Sequence, residues 1–416
     1  MANLLYLVHR LPYPPNKGDK VRSYHLLKHL SARHNVYLGT FVDDPDDTRH
    51  LPLVQGMCAG MLAVPLNPKT AKIRSLSALM TGEPLSLAYY RASVLADWVA
   101  DTRAKHQIDA TVVFSSVMAQ YAPATKAPAA QPLLIDFVDV DSEKWAQYAT
   151  QHTWPMSWVY AREGRTLLAY ERALALRATR SFFVTEKEVN LFRHLAPECT
   201  NQLQAIGNGV DAEFFSPDPL RQNPFNAGDI PIVFTGAMDY WPNIDAVTWF
   251  AAEVLPALRA QRSNVRFVVV GRSPPPAIQA LASNVMITVT GTVPDVRPYL
   301  QHAAVVVAPM RLARGVQNKI LEAMAMGRPV VAAAECVSAI AAKEGEGLVA
   351  ASSVAGYVGA IDGLLQDATR ATAMGERGRA CVLRGYSWDA HLTAMDAYLP
   401  GAAVPRRPEH CAKIPA

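Results

Sequence analysis

The chain lacks the long apolar runs, paired cysteines and strong charge imbalance that mark several large classes of protein. No stretch of its 416 residues approaches the roughly 20 apolar residues that a transmembrane helix requires. Its five cysteines show no CxxC spacing, which argues against a zinc site or a disulfide framework and predicts reduced thiols in a cytoplasm. The formal net charge of +4 is too small by itself to indicate a nucleic-acid partner.

The amino terminus also lacks the basic start and the long apolar core of a signal peptide. Its apolar run Leu4–Val8 is better explained as a first strand. We therefore expect a cytoplasmic protein, either soluble or peripheral on the inner face of the cytoplasmic membrane. Hydrophobic residues make up 50% of the chain and charged residues 18%, which is typical of a folded protein with two domains of about 200 residues each.

Apolar strands alternate with helices in both halves, which predicts an α/β fold with two parallel sheets. We place the first domain at 1–205, the second at 206–390, a final helix at 391–400 and a disordered tail at 401–416. The break lies at Ile206–Pro217, a segment with two glycines that is followed by a polar, proline-bearing stretch. The pattern also predicts one strand at Leu133–Phe137 and one helix at each of two places, Ile244–Gln261 and Val316–Met326.

The most informative segment begins with the buried strand predicted at Val305–Ala308. A loop with Gly315 follows, and then a helix with Lys319 and Glu322 three residues apart, which Gly327 ends. Open α/β sheets bind phosphorylated ligands at the carboxyl ends of their strands. Lys319 can meet a phosphate there and Glu322 can accept hydrogen bonds from a ribose diol. The alternative is an ordinary helix with a surface ion pair.

A second signal follows the first predicted strand, where Gly18 opens a helix. Gly18 can bring backbone N–H groups close to an anion. Lys17, Lys20 and Arg22 place positive charge at that helix start, which opposes the helix dipole and needs a negative partner. The alternative is a basic, solvated loop.

Acidic residues follow the strand predicted at Leu133–Phe137. Asp139 and Asp141 can line a cleft at its carboxyl end. A competing interpretation takes them as the DxD motif by which one class of transferase holds manganese and a nucleotide diphosphate. A third is a solvated loop that caps the next helix.

The segment from Pro309 to Val331 resembles the donor-site signature of the family 4 (group 1) glycosyltransferases, which have the GT-B fold of two Rossmann-like domains facing a central cleft. In the Glu-x7-Glu motif of that family, the second Glu corresponds to Glu322 and implies contact with the nucleotide ribose. Arg314 stands where the first Glu, which contacts the transferred sugar, is usual. The resemblance also implies that the loops at Gly18, Gly236, Asp295 and Gly315 contribute to donor binding, with Asp295 near the base, and that Asp139 or Asp141 lies beside the sugar.

The loop after Gly236 lacks the Arg and Lys that many relatives use to neutralise the diphosphate. We predict that Arg311, Arg314 and Lys319 supply this charge, since they form a basic cluster near the same strand ends. Arg272 is a further candidate for a phosphate contact. If side chains carry the charge, no metal or other cofactor is required, because the nucleotide sugar is itself a substrate.

The segments HRLPYPPNKGDKVRSYHLL and DFVDVDSEKWAQYA resemble one subgroup, the sugar transferases associated with exosortase (PEP-CTERM) exopolysaccharide systems. This resemblance implies a retaining glycosyltransferase that moves a sugar from a nucleotide-diphosphate donor to a polysaccharide or lipid-linked glycan. The alternatives are a nucleotide-sugar epimerase of the same fold, or a non-catalytic sugar-nucleotide-binding partner of a glycan assembly complex. The residues specify neither the donor base and sugar, nor the acceptor, nor the oligomeric state, nor whether Arg314 alters activity or stereochemistry.

One further tract, Lys69–Met80, is basic at its start and carries Ile73, Leu76, Leu79 and Met80 on one helical face. We expect this tract to be a helix that packs on its own domain. The alternative is a helix that lies on an anionic membrane.

Overall fold

A computed structural model describes residues 1–15, 18–123, 131–311, 316–340, 342 and 345–401. The chain forms two compact units. The first consists of Met1–Asn208 together with the residues from His391 onward, and the second is Gly209–Ala390. The chain therefore returns to the first unit after completing the second.

The first unit is built on a parallel seven-stranded sheet with the strand order β3-β2-β1-β4-β5-β6-β7. Its strands are β1 (Asn3–Val8), β2 (Asn35–Val42), β3 (Gly60–Pro65), β4 (Ala110–Phe114), β5 (Leu133–Val138), β6 (Arg180–Phe183) and β7 (Leu203–Ala205). Its helices are α1 (Gly18–Ser31), α2 (Leu51–Gln55), α3 (Pro68–Ser75), α4 (Ala78–Thr81), α5 (Leu85–Tyr89), α6 (Ser93–Lys105), α7 (Asp141–Gln151), α8 (Met156–Arg177) and α9 (Glu186–Leu195), with 3-10 turns at Pro45–His50, Ser116–Tyr121 and Pro197–Gln202.

The second unit is built on a parallel six-stranded sheet with the strand order β10-β9-β8-β11-β12-β13. Its strands are β8 (Ile230–Thr235), β9 (Val265–Val270), β10 (Ile287–Val289), β11 (Val305–Ala308), β12 (Val330–Ala333) and β13 (Leu348–Ala351). Its helices are α10 (Trp241–Trp249), α11 (Leu255–Gln261), α12 (Pro276–Gln279), α13 (Arg297–Gln301), α14 (Asn318–Ala325), α15 (Ala334–Val337), α16 (Val354–Gln366) and α17 (Ala368–Gly385), with a 3-10 turn at Ala280–Ser283. The final helix, α18 (Trp388–Asp396), leads back to the first unit.

Both sheets have the strand order of a Rossmann fold, which confirms the predicted fold class of two Rossmann-like parallel-sheet domains. All four residues of β11 are buried, as expected for a strand covered on both faces. The order reverses between β1 and β4 in the first unit and between β8 and β11 in the second. Ligands of such sheets bind outside the carboxyl ends of the strands at this reversal.

Several predicted elements differ in detail from those observed. The helix predicted at Ile244–Gln261 is interrupted by a π turn at Phe250–Val254, just ahead of Pro256, whose missing N–H cannot continue a regular helix. The strand predicted at Leu133–Phe137 extends to Val138, whose φ of 69° accompanies a shift in register against β6. Within the described parts of the chain, no helix is long and apolar enough to cross a membrane.

Candidate functional site

A pocket of about 690 Å³ lies at the carboxyl edge of the second sheet, where the strand order reverses. This volume is within the usual range for small-molecule sites. The loops after β8, β9 and β10 and the start of α14 line the pocket. The lining residues are Thr235, Gly236, Ala237, Tyr240, Asn243, Val270, Gly271, Arg272, Thr292, Val293, Val296, Val316, Gln317, Asn318, Lys319 and Glu322.

Two glycines let the backbone come together at the floor of this pocket. A Cβ on Gly271 would overlap the carbonyl oxygen of Gly236, so the ends of β8 and β9 can approach only without a side chain there. A Cβ on Gly236 would lie 2.7 Å from Asn243 Nδ2 and 3.1 Å from Lys319 Nζ. Any side chain at Gly236 would therefore displace the groups that a ligand meets.

Lys319 lies in the first turn of α14 and points back across the end of β8. Its ammonium donates a hydrogen bond to Asn243 Oδ1, lies 4.4 Å from the centre of the Phe234 ring and is 3.7 Å from Met310 Sδ. Burial lowers the pKa of Lys319 to about 8, although Glu322 opposes this shift. The largely desolvated ammonium faces a neutral amide, an aromatic ring and a thioether, which leaves its charge available to an anion.

Asn243 holds this lysine in place. Its side chain is 4% exposed, and its Nδ2 donates a 2.7 Å hydrogen bond to the carbonyl oxygen of Ala237. This bond turns Oδ1 towards Lys319 Nζ. This role was not predicted from the sequence, although the signal was present as a polar residue in the first turn of a helix, directly after Pro242.

Glu322 lies one helical turn after Lys319 and also lines the pocket. Burial raises the pKa of its carboxyl to about 7, although Lys319 opposes this shift. Among the described residues, no donor forms a hydrogen bond to its side chain. The carboxylate is therefore an available acceptor beside the buried ammonium.

The cations predicted to supply the missing charge have different environments. Arg314 and Gly315 lie outside the described residues. Arg311 forms a two-point ion pair with Asp245, so its charge is already neutralised within the protein. Arg272 lines the pocket and is exposed, and no ion pair within the described ranges includes it. The described part of the pocket thus presents Lys319 and Arg272 as its positive charges.

Asp295 makes its observed contacts within its own loop. Its Oδ1 accepts hydrogen bonds from the backbone N–H and the Nε of Arg297, each at 2.9 Å. Although partial burial opposes the shift, these bonds lower the pKa of Asp295. From the same loop, Thr292, Val293 and Val296 line the pocket instead.

In the first unit, Arg22 is 1% exposed and makes its contacts inside the protein rather than at the surface. It forms a two-point ion pair with Asp136, at 2.7 and 3.1 Å, and its Nη1 donates to the carbonyl oxygen of Ile206 and to Asn208 Oδ1. Arg22 thus ties α1 to β5 and to the segment that leaves the unit. These contacts supply the negative partner that the sequence analysis assigned to a bound anion.

The rest of the Gly18 segment shows a similar arrangement. Lys20 is buried and pairs with Asp47, while Gly18 is exposed at the first position of α1. Asp19 accepts hydrogen bonds from His9 and Arg10, and the bond from His9 is the main reason that its pKa lies well below the usual range. Lys17 lies outside the described residues.

Asp139 and Asp141 lie at the carboxyl end of β5, as predicted, and both contact one lysine. Lys144 Nζ is 2.8 Å from Asp139 Oδ2 and 3.1 Å from Asp141 Oδ1. Although partial burial lowers it, the two carboxylates raise the pKa of Lys144 overall. The lysine already compensates part of the negative charge of the pair.

Residues 230–367, which include every residue lining the pocket, match the family model described as Glycosyl transferases group 1. No curated protein matches the chain by sequence.

Solved structures are similar to almost the whole chain. The HepE protein of Anabaena in complex with UDP is 17% identical, with a TM-score of 0.57, covering 96% of this chain and 100% of that one. A sucrose-phosphate synthase from Thermosynechococcus elongatus is 20% identical, with a TM-score of 0.57 and coverage of 95% and 97%. A glycosyltransferase from Rickettsia africae is 14% identical, with a TM-score of 0.57 and coverage of 95% and 97%. Together with the match at residues 230–367, these findings support a glycosyltransferase with the GT-B fold.

Proposed function

We propose that the protein is a retaining glycosyltransferase that moves a sugar from a nucleoside-diphosphate donor to a polysaccharide or lipid-linked glycan in exopolysaccharide biosynthesis. The observation that carries this proposal is the pairing of a desolvated Lys319 with an available Glu322 in one pocket at the strand reversal. The resemblance to the PEP-CTERM-associated subgroup supports the proposed pathway and acceptor. Solved structures of HepE with UDP and with UDP-glucose support a nucleotide-sugar ligand.

In this proposal the donor diphosphate lies over Gly236, within reach of Lys319 and Arg272. Negative charge grows on the diphosphate as the bond to the sugar breaks. A cation that is already fixed and desolvated stabilises that charge without reorganisation, and such stabilisation is usually the largest contribution to catalysis. Asn243 acts as a positioning residue because it holds the Lys319 ammonium towards Gly236.

Glu322 accepts hydrogen bonds from the ribose diol of the donor. Arg314 and Gly315 remain proposed contributors to the diphosphate site, as the sequence analysis placed them. Asp139 and Asp141 remain proposed catalytic residues on the acceptor side, and Gly18 remains a proposed donor contact. No resident metal is part of the proposal, because the cations are side chains.

A thermal-shift panel of nucleotide sugars tests this proposal. A true donor stabilises the protein by mass action, by about 2.7 kcal/mol at one hundred times its Kd. We expect at least one nucleotide sugar to raise the Tm more than the corresponding free nucleoside does. If no member of a panel covering uridine, guanosine, adenosine, cytidine and thymidine donors shifts the Tm, the proposal is wrong.

Replacement of Glu322 by alanine is expected to weaken nucleotide binding by roughly 10- to 150-fold, because hydrogen bonds to a charged group contribute about 1.5–3 kcal/mol. The measurement is calorimetric binding of the best ligand from the panel and of its 2′-deoxy analogue. The wild type should discriminate between them and Glu322→Ala should not. Glu253→Ala removes an exposed carboxylate elsewhere in the second unit and serves as the control. Unchanged affinity in Glu322→Ala contradicts the ribose contact.

Binding should also depend on pH in a bell-shaped manner. Glu322 has a pKa raised to about 7 and is mainly a carboxylate above pH 7. Lys319 has a pKa lowered to about 8 and is mainly an ammonium below pH 8. Affinity for a nucleotide sugar, whose diphosphate diester does not titrate in this range, should therefore be highest between these values. Glu322→Gln should remove the acid limb and Lys319→Met the alkaline limb. A flat profile for the wild type from pH 6 to 9, about one unit beyond each pKa, argues against both assignments.

A further inference from the structure

In the helical tract Lys69–Met80, small residues are buried and most of the large apolar residues are exposed. Its small residues Ala71, Ser75 and Ala78 face the protein, whereas Ile73 is 71% exposed, Leu76 54% and Met80 92%. Of the four residues on the predicted apolar face, Ile73, Leu76 and Met80 therefore point to solvent and Leu79 is half-buried, whereas the tract packs on its own domain through its small residues. The tract also breaks into α3 and α4, and each piece buries only small residues, Ala71 and Ser75 in α3 and Ala78 in α4.

A second exposed apolar group lies at the tip of the α7–α8 hairpin. Trp154 is 80% exposed, Trp158 52% and Met156 41%. Tyr148 and Tyr160 belong to the same hairpin, with ring centres 6.1 Å apart. Large aromatic side chains normally bury most of their surface, so two exposed tryptophans within five residues indicate an unpartnered surface.

Hydrogen bonds hold these two groups side by side. Arg162 Nη2 donates a 2.6 Å hydrogen bond to the carbonyl oxygen of Ala78 in α4. Glu163 accepts hydrogen bonds from the backbone N–H groups of Leu85, at 2.6 Å, and Ser86, at 3.0 Å. Trp158 lies about one helical turn before Arg162, roughly 6 Å along α8. These bonds join α8, which carries Met156 and Trp158, to α4, which carries Met80. The name apolar–basic surface is used here for Ile73, Leu76, Met80, Trp154, Met156 and Trp158 together.

Positive charge predominates on this surface, since the neighbouring carboxylate of Glu83 is paired with Arg91. The segment from Leu66 to Gly82 contains Lys69, Lys72 and Arg74 and no acidic residue. All three cations are exposed, and no ion pair found within the described ranges includes either lysine. The segment from Lys144 to Arg162 also has no acidic residue. An apolar protein partner would not explain this excess of positive charge, whereas a surface with negative head groups over an apolar interior would.

We propose that the apolar–basic surface docks the protein on a bilayer that contains anionic lipids. The exposed tryptophans lie at the level of the head groups, where aromatic rings with a polar edge are favoured. Ile73, Leu76 and Met80 enter the boundary of the acyl chains, and Lys69 and Lys72 contact lipid phosphates. This proposal does not depend on the donor chemistry, and it can hold or fail independently of the proposed function.

Co-sedimentation of the full chain with vesicles tests the proposal. The wild type should bind vesicles of phosphatidylcholine with phosphatidylglycerol, bind vesicles of phosphatidylcholine alone at least about tenfold more weakly, and lose affinity as salt is added. Lys69→Glu with Lys72→Glu should reduce partitioning by about tenfold or more, because each charge near an anionic surface contributes about fivefold. Trp154→Ser with Trp158→Ser should reduce it by a similar factor.

Two substitutions serve as matched controls. Leu220→Ser removes a side chain that is 89% exposed in the second unit, and Lys187→Glu reverses an exposed charge on α9. Both controls should partition like the wild type. Failure of the wild type to bind anionic vesicles overturns the proposal. The proposal is also overturned if the tryptophan and lysine variants bind these vesicles as tightly as the wild type does. Self-association in solution that the same variants abolish would instead assign the surface to a contact between two copies of this chain, and would also overturn it.

Discussion

Replacement of Lys319 by methionine is expected to reduce sugar transfer by about 30- to 1,000-fold, because the loss of one preorganised charge at a developing anion costs about 2–4 kcal/mol. Methionine keeps most of the apolar part of the side chain and removes the ammonium, which lies 4.4 Å from the centre of the Phe234 ring. The loss should appear mainly in kcat and less in KM, since the charge that Lys319 stabilises grows as the sugar departs. Initial rates with saturating donor measure it.

The chain provides a close control for this experiment. Arg311 belongs to the same predicted basic cluster, but its guanidinium is paired with Asp245. Arg311→Met should therefore change kcat by less than about twofold. Arg272→Met should lower kcat by about tenfold, because Arg272 lines the pocket. This loss is smaller than that expected for Lys319→Met because solvent screens the more exposed charge of Arg272. Near-normal kcat in Lys319→Met contradicts the assigned role, whatever the result with Arg272.

The second large effect concerns stability rather than catalysis. Replacement of Asp136 by alanine is expected to lower the free energy of unfolding by about 3–5 kcal/mol, because it leaves the guanidinium of Arg22 buried without its carboxylate. Both side chains are at most 1% exposed, so water cannot compensate for the loss. Urea unfolding followed by tryptophan fluorescence measures the change.

The double variant Arg22→Met with Asp136→Leu separates the cost of an unpaired charge from the value of the pair. It should recover much of the lost stability, because an apolar pair of similar size is often neutral relative to a buried ion pair. Some loss should remain, since Ile206 and Asn208 also accept hydrogen bonds from Arg22. A loss below about 1 kcal/mol in Asp136→Ala would show that Arg22 is not held by this pair.

The parts of the fold that the sequence predicted are those set by local patterns. Apolar runs such as Val305–Ala308 predicted buried parallel strands, and the order of strand, loop and helix placed Lys319 and Glu322 at a strand end, where the structure has a pocket. A buried strand needs a run of apolar residues whatever lies around it, so this information is present in a few consecutive residues.

The partners of charged residues could not be predicted from such local patterns. Lys17, Lys20 and Arg22 suggested an anion site, but Arg22 pairs with Asp136, which is 114 positions away in the sequence, and Lys20 pairs with Asp47. A run of basic residues does not reveal which carboxylate folds against it. The same limit applies to the tract Lys69–Met80, where the helical period showed an apolar face but not whether another element covers it.

The release of nucleoside diphosphate from the donor that most stabilises the protein, measured with and without EDTA, tests the central claim most directly. The account predicts transfer or slow hydrolysis that EDTA leaves nearly unchanged and that Lys319→Met lowers by at least about 30-fold. Binding of the donor without any release would indicate a non-catalytic sugar-nucleotide-binding protein. A rate that EDTA abolishes and manganese restores would also contradict the account, and would favour metal binding by Asp139 and Asp141.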